Sequence, residues 1–144
     1  MENMYEIPQI KEVHDNPDMN RYLSELTEDL HLTQMNLKEK SLLVSGLRAK
    51  WLNYYFLEKS NLKRIKNKKD EILKAKLGSG VGKSVLPLKN TDKLSQEDET
   101  ILKLDYMSDR VKNNIDFLER AMNILNDFSF AIKNSIEILK LERM

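Results

Sequence analysis

Residues 104–139 read LDYMSDRVKNNIDFLERAMNILNDFSFAIKNSIEIL. Leu104, Val111, Leu118, Leu125, Ile132 and Leu139 stand seven residues apart, and Ser108, Ile115, Met122, Ser129 and Ile136 fill the alternate position of each repeat. Five repeats with alternating steps of four and three are the seam of a coiled-coil-like helix. The two serines weaken the seam and can fix its register. No glycine or proline follows Pro87. Ser95 with Asp98 three residues on makes a capping-box-like start. The spacing therefore predicts a helix over about 96–142.

Working back from that helix, Leu37, Leu43, Leu47, Trp51, Tyr54, Tyr55, Leu62, Ile65, Ile72 and Leu73 mostly recur at helical spacing. Thr33 can cap the segment, and its only interior glycine before Gly78 is Gly46, which a helix tolerates at a cost of about 1 kcal/mol. A helix over 34–77 would run roughly 65 Å, too long for a small core to cover. Further back, Asn16 as N-cap and Pro17 at the first helical position open a short helix over about 17–30, with Met19, Leu23, Leu26 and Leu30 as its apolar stripe. The expectation is an all-α fold. Residues 1–15 form a flexible arm, residues 16–144 a single helical domain, and residues 78–94 the loop that joins two long helices into a hairpin. A two-helix hairpin encloses its own apolar surface poorly. Self-association is therefore expected through a seam of Leu104, Val111, Ile115, Leu118, Met122, Leu125, Ile132, Ile136 and Leu139.

Several chemistries drop out. The chain has no cysteine, so disulfide and thiolate chemistry is excluded. No apolar run reaches membrane-span length and no signal-peptide pattern opens the chain; a soluble intracellular protein is expected. His14 and His31 are the only histidines, and without cysteine they form no common zinc site. No nucleophile–base constellation emerges, and neither catalysis nor a cofactor is expected. Residues 77–84, LGSGVGKS, look like a phosphate-binding loop. Gly82, Lys83 and Ser84 fit the end of G-x-x-x-x-G-K-[ST], but Leu77 stands where the first glycine belongs. A charged helical segment precedes it in place of a buried strand, and Pro87 blocks the helix that should follow. The simpler reading is a loop between two helices.

Charge is more informative. The formal net charge is only +1, yet residues 1–33 sum to −6, residues 34–93 to +10 and residues 94–144 to −3. Such segregation suggests a polyanion partner for the middle of the chain. Residues 59–77 hold eight basic and two acidic residues. Lys59, Lys63, Lys66 and Lys74 lie near one helical face, with Arg64, Lys68, Lys69 and Lys76 beside it. An ordinary charged helix and a membrane-surface helix remain alternatives, but clustered cations that release counterions on a nucleic-acid backbone fit best. The preceding KWLNYYF puts Trp51 and three other aromatics next to these cations. They could stack on unpaired bases, or Trp51 and Tyr55 could continue the apolar stripe.

KWLN (Lys50 to Asn53), LKAKL (Leu73 to Leu77), LKLD (Leu102 to Asp105) and FAIK (Phe130 to Lys133) occur in that order. Together the four strings resemble the UvsY recombination mediator family of T-even-type bacteriophages, over roughly residues 29–140. The resemblance implies an all-α protein that assembles into a ring of six or seven copies. It also implies binding of single-stranded DNA, the phage recombinase and the phage single-strand-binding protein, in the cytoplasm of the infected bacterial host and without a membrane. In that family the basic residues of the LKAKL-type string are implicated in DNA contact, which carries here to Lys74 and Lys76. The first twenty or so residues and the loop 78–94 depart from the pattern; a DNA-binding role for Lys83 is a local inference from charge. The expected function is a recombination mediator without catalytic activity of its own. The alternative is a coiled-coil scaffold that binds a protein or membrane surface.

Overall fold

A computed structural model describes residues 3–5, 16–80 and 91–143. Three helices and no strands occur among them: α1 (Pro17–Asp29), α2 (Leu37–Gly80) and α3 (Thr91–Glu142). The Asn16 side chain accepts from the Met19 amide at 3.2 Å and Pro17 opens α1, as the cap signal requires.

The helix limits differ from expectation at three places. Thr33 does not start α2. Its amide donates to Asn36 Oδ1 at 2.7 Å, the Asn36 amide donates to Thr33 Oγ1 at 3.3 Å, and this reciprocal pair closes a turn before the helix begins at Leu37. Gly78 does not stop α2, which continues to Gly80; glycine permits a left-handed stop without imposing one. And α3 starts at Thr91 rather than at 96, since nothing between Thr91 and Ser95 breaks a helix. The outer parts of the expected loop are thus helical. Its centre, with Lys83, Pro87 and the second half of the phosphate-loop look-alike, lies outside the described residues.

The packing forms two compact units, Met1–Phe56 with Asn114–Met144, and Leu57–Asn113. In the first, α1, the start of α2 and the end of α3 enclose one core of Tyr22, Leu26, Leu30, Leu32, Leu37, Trp51, Phe117, Leu118, Ala121, Leu125, Phe128 and Ile132. Here the self-association expectation needs correction. Leu118 and Leu125 are 0% exposed and Ile132 2% within a single chain. Ile115 is also buried, and Met122, Ile136 and Leu139 are half-buried. The α3 seam is covered by α1 and α2 of the same chain, because α1 supplies the third helix that a bare hairpin lacks. The second unit pairs the remaining parts of α2 and α3; Leu104 is buried there and Val111 half-buried.

Residues 3–5 correct part of the flexible-arm expectation. The Met4 amide donates to the Leu32 carbonyl at 2.7 Å. Tyr5 packs edge-on against Phe128 with ring centres 5.2 Å apart, and its hydroxyl donates to the Ile124 carbonyl at 3.3 Å. Residues 6–15, with His14, lie outside the described residues.

Candidate nucleic-acid interface

The basic run lies on α2 within the second unit. With 3.6 residues per turn, Lys59, Lys63, Lys66 and Lys74 fall within one quarter of the helix circumference. All four are exposed. Arg64 and Lys68 are also exposed, on the opposite flank. Asp70 lies within the lysine face and Glu71 beside it, both exposed, so the stripe is cationic but interrupted once.

The helix separates residues that the linear run places together. Lys74 and Lys76 are two apart, hence about 200° around the axis. Lys74 points outward and Lys76 is half-buried. Lys69 also turns inward, where its Nζ meets Asp105 Oδ1 of α3 at 2.5 Å. Beside this pair, a crevice of about 570 Å³ runs between the two helices over Leu62 and Ile65; Lys66, Lys69 and Lys112 line it together with Asp105, Asp109 and Ser108. Lys112 was not among the expected site residues, because it sits on a helix whose charges alternate in sign. The outward lysines can track a phosphate backbone, whereas Lys69 is already neutralised by its partner.

KWLN does different work. Lys50 Nζ bridges Glu25 and Asp29, each at 2.7 Å. The indole N–H of Trp51 donates to Asp29 Oδ2 at 2.9 Å and the Tyr54 hydroxyl to Glu25 Oε1 at 2.8 Å. Lys40 adds a bond to the Asp29 carbonyl at 3.0 Å. Trp51 is fully buried, where it packs edge-on against Tyr22 and Tyr54 and is not available to stack on bases. This clasp fastens α1 to α2. Burial pushes the Glu25 carboxyl up, but the hydrogen bonds from Lys50 and Tyr54 outweigh it and hold its pKa below the ordinary value. Burial likewise lowers Lys50, and the bonds to Asp29 and Glu25 more than reverse that. The Tyr54 hydroxyl is raised, first by its bond to Glu25 and then by burial.

Among the described residues no group of three or more His, Cys, Asp or Glu side chains could hold a metal ion. No helix there is long and apolar enough to cross a membrane.

Three helices with a lysine stripe and a carboxylate-locked core define a small all-α protein suited to holding a polyanion. The chain belongs to the UvsY family, described as recombination, repair and ssDNA binding protein UvsY, whose pattern matches residues 25–143. Its fold is that of the bacteriophage T4 recombination mediator protein UvsY. One crystal form of that protein (lattice type IV) superposes with a TM-score of 0.69 at 24% identity, covering 86% of this chain and 98% of that one. Lattice type III gives 0.69 at 23% identity over 87% and 97%. No curated protein sequence matches the chain significantly.

Proposed function

We propose that this protein is a recombination mediator that binds single-stranded DNA along the outward lysine face of α2 and helps load a recombinase onto DNA covered by single-strand-binding protein. Its partners are then single-stranded DNA, the recombinase, the single-strand-binding protein and further copies of itself in a ring of six or seven. The recombinase supplies the nucleotide hydrolysis; the mediator has no catalytic activity. The cytoplasm of an infected bacterium is where these partners meet. The observation that carries this reading is the exposed row Lys59, Lys63, Lys66 and Lys74 in a chain of the UvsY family. Lysines grip phosphates without reading sequence and leave bases free for pairing by the recombinase.

The test is a salt titration of binding to a short single-stranded oligonucleotide. Four phosphate contacts per chain give a log–log slope of about −2.8 at roughly 0.7 per contact. Replacing Lys63 and Lys74 by alanine should flatten it by about 1.4 per engaged chain. Lys76→Ala, on the inward side, should leave the slope unchanged. Salt-independent binding, or a larger effect at Lys76 than at Lys74, would refute the assignment.

A further inference from the structure

Phosphate binding on the outward lysines leaves the crevice between α2 and α3 of the second unit unexplained. Its volume of about 570 Å³ falls within the range of about 300–1,000 Å³ usual for clefts that hold small organic groups. Leu62 and Ile65 give it an apolar floor, and Lys69 and Asp105 satisfy each other at one wall. The rest of the rim is mixed. Lys66 and Lys112 offer donors, Asp109 offers acceptors and Ser108 offers both. A phosphate entering here would meet the Asp109 carboxylate as a like charge. A flat, uncharged ring with donors and acceptors along one edge would not.

Helix geometry ties the crevice to the lysine stripe. Lys66 belongs to both, since it is exposed on α2 and lines the crevice, and Lys59, Lys63 and Lys74 follow within about 80° round the helix. A strand laid on the stripe therefore passes the crevice mouth. On α3, Tyr106 lies about 60° round the helix from Asp109. It is 58% exposed, and Leu102, one turn earlier, is 67% exposed. Phe56 and Phe130 are exposed too, but Phe56 packs on Tyr55 and Phe130 lies beneath Lys133. Stripe, crevice and Tyr106 all belong to the second unit.

We propose that this crevice receives one unpaired base of the bound single strand, stacked on Tyr106, with its polar edge turned to Ser108, Asp109 and Lys112. The flanking phosphates lie on Lys59, Lys63 and Lys66. This rests on the single-stranded DNA binding of the proposed function and adds a base site to its phosphate contacts. Every base carries both donors and acceptors, so the mixed rim takes any of the four. A duplex has no base to offer without unstacking one. One parked base per chain fixes the strand on the stripe and leaves its neighbours free for the recombinase.

The experiment compares two oligonucleotides of equal length, oligo-dT and an abasic deoxyribose-phosphate chain, bound to the full-length protein across a salt series. Both carry the same phosphates, so their salt slopes should agree. Stacking of one base changes affinity by about 5- to 150-fold, so oligo-dT should bind at least about fivefold tighter. Tyr106→Ala should abolish that advantage without changing the slope, and Tyr106→Phe should keep it. Asp109→Ala should reduce it, because the general gain from deleting a negative charge is shared by both chains and cancels in the ratio. Circular dichroism checks that each variant folds, as substitution of exposed residues allows. Equal binding of the two oligonucleotides by the unmodified protein would overturn the base site and leave the phosphate reading standing. So would an advantage that survives Tyr106→Ala, or one that Tyr106→Phe destroys or Asp109→Ala leaves unchanged. If neither oligonucleotide binds in a salt-dependent way, the proposed function fails as well.

Discussion

Replacing Lys50 by methionine tests the clasp that joins α1 to α2. The change keeps the aliphatic stem and removes the charge that sits 2.7 Å from both Glu25 and Asp29. Exposed ion pairs contribute up to about 1 kcal/mol, and breaking a buried one costs about 3–5 kcal/mol. The side chains here are 33% exposed for Lys50, 30% for Glu25 and 15% for Asp29. The expected cost therefore lies between those limits, about 2 kcal/mol, or a fall in Tm of about 4–8 °C for a chain of this size. Thermal melts of both proteins at equal concentration measure it. The sign of the pH dependence follows from the shifts. Glu25 has a lowered pKa in the folded state, so its contribution is present above the unfolded value near 4.5 and is lost as pH falls through the folded one. Lys50 has a raised pKa, so its contribution is complete below 10.5 and is lost as pH rises through the folded value. The difference between Lys50→Met and the unmodified protein should be flat from about pH 5 to pH 9 and shrink below the Glu25 value. A cost under about 0.5 kcal/mol at neutral pH, or an undiminished cost in acid, would refute the reasoning.

Leu118→Asp places a carboxylate at a fully buried site, so it should unfold the chain, costing more than about 4 kcal/mol, rather than release folded single chains. Circular dichroism beside sedimentation separates these outcomes, and folded, helical monomers would return the seam to an oligomer interface. Asn16→Ala removes the α1 cap and the 2.8 Å bond to Oδ1 of buried Asn114. A loss of about 1–3 kcal/mol in urea unfolding is expected, and a neutral result would show that the cap is dispensable.

The helices were readable because their apolar residues repeat over many turns. Asn16 and Pro17 marked the start of α1 for a local chemical reason, and local chemistry survives any tertiary arrangement. The errors arose where partners distant in sequence decide the outcome. Periodicity showed that Leu118, Leu125 and Ile132 share a face, but not that α1 would cover it. The basic run was visible as composition, while its division into outward Lys74 and inward Lys69 and Lys76 needed the direction in which α2 packs. KWLN could be recognised as a string; its role depends on Glu25 and Asp29, more than twenty residues away. Gly78 read as a stop because glycine often ends helices, and nothing local shows when it will not.

The central claim is mediation, and the decisive measurement is recombinase ATPase on single-stranded DNA already coated with single-strand-binding protein, using cognate partners. A protein that only binds DNA competes with the recombinase. A mediator must favour one DNA complex over the other through differential affinity. Added in increasing amounts, the unmodified protein should shorten the lag before hydrolysis, and the variant with Lys63 and Lys74 replaced by alanine should shorten it less. A lag that stays the same or lengthens with the unmodified protein would contradict the account and leave a DNA-binding scaffold in its place.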